Sequence, residues 1–159
     1  MGYSLNISLV VVISMAILHL SHTQDAGNAP DDYLNAHSCT RKVMDLPALK
    51  WDPELAKVAQ AYADQRKDCK MIRSDRCGEN MASGQNLNGS YAVQMWLDEK
   101  RNYDYGENKC IEKMCGHYTQ CIWKKTERVG CGRSKCDDGS FMVVCNYDPP
   151  GNIAGEKPF

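Results

Sequence analysis

Three side chains able to coordinate a metal ion or move a proton stand out in this chain of 159 residues. They are Glu79 in Cys77-Gly78-Glu79-Asn80, Glu99 in Trp96-Leu97-Asp98-Glu99, and His117 in Gly116-His117-Tyr118-Thr119-Gln120-Cys121-Ile122-Trp123. One imidazole and two carboxylates make a ligand set for a divalent metal, and the same groups are competent for general acid–base work. Their separation along the chain is too wide for any local turn, so the fold has to bring them together. Thr119 and Ser74 place hydroxyls near these motifs, but the sequence offers neither an evident activating base, so no nucleophile is identified.

The elements that must position these groups follow from periodicity. Residues 116–123 alternate as a half-buried strand does, with His117, Thr119, Cys121 and Trp123 on one face and Tyr118, Gln120 and Ile122 on the other. Residues 91–100 read as a short helix with Val93, Trp96 and Leu97 on one side, which sets Glu99 on the shoulder of the buried face. Upstream, Tyr33, Leu34, His37, Arg41 and Met44 recur at helical spacing until Leu46-Pro47-Ala48-Leu49 breaks the pattern, and Trp51 is expected to plug the core. The best helix opens at Asp52-Pro53-Glu54, with a capping aspartate, a proline at the first helical position and an acid against the dipole. Its stripe of Leu55, Val58, Ala59, Tyr62 and Ala63 is core, and it is expected to run to about Asp68.

Residues 81–90 are small and polar and read as a loop, with Asn88-Gly89-Ser90 as a glycosylation acceptor. Residues 102–115 read as a second loop containing Tyr103, Tyr105, Cys110 and Cys115. Beyond it, 128–136 and 140–147 flank Asp138-Gly139, a hairpin signal that sets Cys131 nearly opposite Cys145, within disulfide reach. Helices first and strands later, with no βαβ rhythm, predict an α+β fold of helices over a mostly antiparallel sheet. Pro149-Pro150-Gly151-Asn152 cannot continue a central strand, and its prolines offer no ladder donors, so 149–159 is expected to be dispensable for folding.

Composition fixes the compartment. Residues 7–20 are almost wholly apolar and no Asp, Glu, Lys or Arg precedes Asp25, which predicts a secretory signal over 1–23 cleaved near Gln24 rather than a membrane span. All nine cysteines fall in the single domain expected over 24–159, which implies a disulfide framework in an oxidising space. No pair of C-x-x-C motifs calls for a zinc ribbon, and the odd number leaves at least one thiol free or paired with another chain. A net charge of -1 gives no reason to expect nucleic acid or an anionic membrane as a partner.

From Asp32 to Phe159 the chain resembles the CAP superfamily, and within it the plant pathogenesis-related class 1 branch. The resemblance rests on Asp32-Tyr33-Leu34-Asn35-Ala36-His37, Leu49-Lys50-Trp51-Asp52, Gly78-Glu79-Asn80, Trp96-Leu97-Asp98-Glu99, Gly116-His117-Tyr118-Thr119-Gln120, Gly130-Cys131-Gly132 and Cys145-Asn146-Tyr147, in that order. It implies a three-layer α-β-α sandwich with disulfides Cys69–Cys136, Cys110–Cys115 and Cys131–Cys145. Cys39, Cys77 and Cys121 are extra, and a fourth bridge is expected between Cys39 and Cys121 if the first helix packs on the central strand.

The resemblance also implies a central cleft of two histidines and two glutamates that can hold a divalent ion such as zinc. Glu79, Glu99 and His117 match it, but Arg73 stands where the other histidine is expected. Arginine cannot ligate a metal, so the expectation is a degenerate site, without a cofactor, in which Arg73 is the counter-charge to Glu79 and Glu99. Relatives of this branch bind sterols through the loop matching 102–115, which makes Tyr103 and Tyr105 the candidate contacts. In the same branch the segment after Cys145-Asn146-Tyr147-Asp148 can be released as a signalling peptide for a receptor; here that segment is 149–159, and it ends in Phe159 where the branch usually has tyrosine. The expected protein is a monomeric, non-enzymatic defence protein, extracellular (apoplast) or vacuolar, that binds pathogen sterols or other lipids. A metal-dependent secreted hydrolase using Glu79, Glu99 and His117 is the alternative.

Overall fold

Helix α1 (Pro30–Val43) begins with a proline and two acids, Asp31 and Asp32, at the positive end of its dipole and closes with Arg41 and Lys42 at the negative end. Tyr33, His37 and Arg41, one turn apart, form its buried stripe. The structure is a computed structural model that describes residues 27–76 and 78–159; the apolar stretch read as a leader, the cleavage point expected near Gln24, and Cys77 lie outside them. Strand β1 (Lys50–Trp51) follows, then helix α2 (Pro53–Gln65), whose N-terminus is capped by Asp52 accepting from the Glu54 and Leu55 amides at 2.9 and 3.0 Å. Strand β2 (Glu79–Gly84) leads to helix α3 (Gly89–Asp98), capped by Asn88 and running on into a 3-10 turn, Glu99–Asn102. Short strands β3 (Tyr103–Asp104) and β4 (Lys109–Cys110) pair with each other, and a further helix, α4 (Gly116–Cys121), precedes the hairpin of β5 (Arg128–Lys135) and β6 (Phe141–Asp148).

The main sheet has the order β1-β5-β6-β2, with β1 parallel to β5 and the other pairs antiparallel. Along β6, Val143, Cys145 and Tyr147 join the core under α1, α3 and α4, while Met142 and Val144 join a second core with Ala59 and Ala63 of α2. This is the strand's two-residue alternation, and it puts helices against both faces of the sheet. The Gly130-Cys131-Gly132 motif follows from the same geometry. Cys131 faces one core and bonds to Cys145, while α2 lies directly on both glycines: a Cβ on Gly130 would come within 2.1 Å of the Ala56 nitrogen, and one on Gly132 within 2.3 Å of the Gln60 Cα.

Two sequence expectations change here. Residues 81–84, read as loop because they are small, form most of β2 and pair with 141–144 of β6. Helix α3 lies close to this strand, and the Trp96 indole N–H donates to the Met81 carbonyl at 3.0 Å. Residues 116–121, read as strand, are helix α4. The alternation there was spurious, since all of 118–123 is buried and no side chain faces solvent every second residue.

Disulfides join Cys69 to Cys136, Cys110 to Cys115, and Cys131 to Cys145. The expected Cys39–Cys121 bridge is absent: Cys39 is exposed and Cys121 is fully buried, both as free thiols. The bridge was premised on 116–123 being a strand. In the helix Cys121 instead faces Asn80 and Tyr147, and burial pushes its thiol up to about 12.

Two polar side chains of α1 tie the layers together. Arg41 is 1% exposed, and it donates to the carbonyls of Pro47, Cys121, Trp123 and Thr126 at 2.7 to 3.3 Å. His37 is fully buried; Nδ1–H donates to the Tyr33 carbonyl at 2.8 Å, so Nε2 accepts from the Tyr147 hydroxyl at 2.9 Å. That pairing needs a neutral ring. Burial, opposed by the Tyr33 carbonyl bond and reinforced by nearby Arg41, lowers the imidazole to about 4 from its ordinary 6.5. Between those values the unfolded chain takes up a proton that the folded chain refuses. The stability this ring contributes is therefore complete above pH 6.5 and is lost as pH falls toward 4, by about 3 kcal/mol in all. Urea unfolding of wild type and His37→Gln at pH 6.5 and 4.5 checks this: wild type is expected to lose more stability than the variant, and equal losses would contradict it.

Candidate functional site

Glu99 and His117 meet at the start of α4. Glu99 opens the turn that ends α3, and its carboxylate accepts from the His117 and Tyr118 amides at 3.1 and 3.3 Å and from His117 Nδ1–H at 2.7 Å. One carboxylate thus caps a helix N-terminus and orients an imidazole. The carboxylate faces the positive end of the α4 dipole. With Nδ1–H engaged, the His117 lone pair is on Nε2 when the ring is neutral. The ring lies 6.2 Å from that of Trp96, and Asn80 Nδ2–H donates to the His117 carbonyl at 3.0 Å, tying β2 to the same turn.

Glu79 has different partners. It opens β2, is 5% exposed, and takes the Ser74 amide at 2.9 Å and the Ser74 hydroxyl at 2.5 Å. It borders a cavity of about 410 Å³ shared with Val58, Tyr62, Arg73, Arg76 and Asn146. Asn146 lies directly across the sheet from Glu79, and its buried Oδ1 has no hydrogen-bond partner among the described residues.

The counter-charge expected from Arg73 is not formed. Arg73 is exposed, its Nη2 donates to the main-chain oxygen of Glu79 at 3.3 Å, and no ion pair joins it to Glu79 or Glu99 among the described residues. Ser74 explains why: its two neutral donors already satisfy the carboxylate that the arginine was expected to neutralise. Sequence reading singled Ser74 out only as a hydroxyl without a base. Its proximity to Glu79 in sequence was the available signal.

These residues do not fit a preformed divalent site. Among the described residues the one trio of His, Cys, Asp or Glu with ligand atoms within 4.8 Å of one another is Cys69, Cys136 and Asp138, and both cysteines there are consumed by their disulfide. Glu79 is bound by Ser74, Glu99 by α4, and Arg73 cannot ligate. What the arrangement can do chemically is narrower: a carboxylate-oriented imidazole that accepts or donates a proton at Nε2. Among the described residues no hydroxyl or thiol is hydrogen-bonded to that ring.

The loop tyrosines lie beyond α3. Tyr103, half-buried in β3, donates to Asn108 Oδ1 at 2.7 Å and packs 6.0 Å from the Tyr118 ring. Tyr105 is exposed and edge-on to Tyr103 at 6.4 Å; its outer contact is Phe159, stacked at 4.8 Å. Asn88, the glycosylation candidate, uses Oδ1 to cap α3 through the Tyr91 amide at 2.9 Å.

Comparison with known proteins places the chain by sequence and by fold. The sequence profile described as CAP, the cysteine-rich secretory protein family, matches residues 34–147. The chain is 45% identical over 156 residues to the basic form of pathogenesis-related protein 1 of Nicotiana tabacum, covering 96% of this chain and 88% of that one. It is 44% identical over 157 residues to pathogenesis-related leaf protein 4 of Solanum lycopersicum, covering 97% and 98%. Among solved structures, Schistosoma mansoni venom allergen-like protein 4 aligns with a TM-score of 0.68 at 29% identity, over 80% of this chain and 90% of that one.

The double role of Glu99 gives a test. Glu99→Gln keeps the shape but loses the charge that holds His117 and faces the dipole, and it is expected to cost about 1–3 kcal/mol. His117→Ala, which leaves both amide bonds to Glu99, is expected to cost less; chemical denaturation of the two variants beside wild type checks the order.

Proposed function

The chain belongs to the CAP family of cysteine-rich secretory proteins, in its plant pathogenesis-related class 1 branch, and from that premise we propose that it is a secreted, non-enzymatic defence protein that captures sterols or related apolar lipids at the loop bearing Tyr103 and Tyr105. The observation that carries the ligand class is the aromatic step of the loop. Tyr103 is fixed by Asn108 and the core, and Tyr105 stands edge-on to it with 43% of its surface exposed. Two rings held at an angle, each with a polar tip, offer flat apolar contact and a hydroxyl to a ring-shaped lipid alcohol.

The non-enzymatic reading rests on how the candidate catalytic groups are used. The Ser74 hydroxyl donates to a carboxylate rather than to an imidazole, and the His117 imidazole is turned to Glu99. A hydrolase acting through Glu79, Glu99 and His117 requires a nucleophile or a bound water between groups that here serve separate hydrogen-bond sets. We place the protein outside the cell, in the apoplast, on the basis of its apolar leader, its cysteine framework and its branch. No helix among the described residues is long and apolar enough to cross a membrane. The segment 149–159 is proposed as a second product, a peptide released after the last strand.

Equilibrium binding of a fluorescent sterol tests the capture reading. Tyr105→Ala is expected to weaken binding about tenfold while leaving the melting temperature near that of wild type. Saturable binding that Tyr105→Ala leaves unchanged, or no binding by any form, would defeat it.

A further inference from the structure

The C-terminal segment is seated on the same surface that the ligand reading uses. The Gly151 amide donates to Gln120 Oε1 at 2.8 Å, and a Cβ at Gly151 would fall 2.7 Å from the Trp123 ring, so the chain passes flat against that indole. The Asn152 side chain closes a two-way bond with α4, taking the Thr119 hydroxyl at 2.6 Å and giving to the Gly116 carbonyl at 2.9 Å. Further on, the Pro158 carbonyl accepts the Lys124 amide at 2.7 Å, and Glu156 pairs with Lys125 at 2.7 Å while its carbonyl takes Asn108 Nδ2–H at 2.9 Å.

The segment finishes on Tyr105. Phe159 stacks on the ring, its carbonyl oxygen accepts the Tyr105 hydroxyl at 2.6 Å, and the Lys157 ammonium lies 4.3 Å from the ring centroid. The cavity left between segment and loop is about 230 Å³. Sites for drug-sized ligands run from about 300 to 1,000 Å³, so this one is too small for a sterol while the segment is in place. The polar tip and the flat face that a lipid alcohol needs are already in use.

We propose that residues 151–159 are a strap that occupies the aromatic site of the 102–110 loop, so that binding of an apolar ligand there and detachment of the segment are two readings of one equilibrium. This rests on the loop being the ligand surface. A ligand that needs the open site and a segment that closes it compete, and linkage makes the effect reciprocal. Loosening the strap raises ligand affinity, and ligand binding shifts the segment toward its detached state. Release of 149–159 then leaves a domain with its aromatic site open, and capture of lipid makes that release easier.

Two full-chain variants weaken the strap without touching the core. Phe159→Ala removes the stacked ring, and Asn152→Ala removes both bonds from the segment to α4 while leaving Tyr103 and Tyr105 unchanged. Strap opening is read by hydrogen exchange of the Lys124 amide, which is bonded to Pro158. Site opening is read by binding of anilinonaphthalene sulfonate and, separately, of cholesterol. Both variants are expected to exchange Lys124 faster and to bind both probes about three- to tenfold more tightly than wild type. Saturating cholesterol is expected to speed Lys124 exchange in wild type. Faster exchange with unchanged dye and cholesterol affinity, or no change in exchange in either variant, would overturn the strap. A gain in dye binding by proteins that bind no cholesterol would leave the strap standing and remove the sterol reading instead.

Discussion

A helix of six residues cannot hold itself together in water, because the hydrogen bonds it makes do not repay the cost of its first turn. Helix α4 is such a helix, and the site depends on it. It is held by opposite charges delivered from two other elements. The Glu99 carboxylate takes its first free amides, and the Arg41 guanidinium takes the carbonyls of Cys121 and Trp123 at its other end. Each charge matches the end of the dipole it faces. Arg41 is buried without a carboxylate partner among the described residues, which is tolerable because four carbonyl oxygens surround it.

From that clamp the other features follow in space. The N-terminal end of α4 presents His117 to Glu99, its inner side places Cys121 against Asn80 and Tyr147, and its Gly116, Thr119 and Gln120 receive the C-terminal segment. Helix α1 contributes from both sides of this arrangement, through Arg41 at the helix end and through His37 on the Tyr147 hydroxyl. The Tyr103 loop, the carboxylate–imidazole pair and the C-terminal segment therefore share one short support rather than standing on three independent elements.

The sequence showed most clearly what depends on local periodicity or on a turn. The stripe Tyr33, His37 and Arg41, the Asp52 cap and the Asp138-Gly139 hairpin each carry their geometry within a few residues, and each appears in the structure as an element at those positions. The hairpin register sets Cys131 opposite Cys145 because it is fixed by that turn. What could not be read was set by distant contacts. The run 118–123 is buried on every side, so its alternation of residue type passed for a strand's alternation of exposure, and the Glu99 and Arg41 bonds at its two ends come from distant elements. Residues 81–84 failed in the opposite direction: their mostly small and polar types look like a loop, and it is pairing with the distant β6 that makes them a strand. At the site, the family pattern picked out Glu79, Glu99 and His117, but the hydrogen bonds divide them. Ser74 claims one carboxylate and α4 the other, and Arg73 bonds to the main chain instead of replacing a metal. Side-chain pairing of that kind has no signature in spacing.

The central claim is that charges from outside α4 hold it and, through it, the strap. Hydrogen exchange with site resolution in Arg41→Met tests this most directly, since methionine fills much of the volume but gives nothing to the carbonyls. The account predicts that amides of 117–123 and of the seated segment, Gly151 among them, lose protection together, while the β5–β6 hairpin keeps its own. Loss of protection confined to the Pro47 turn, with α4 and Gly151 unchanged, would show that the helix stands without its clamp and would contradict the account.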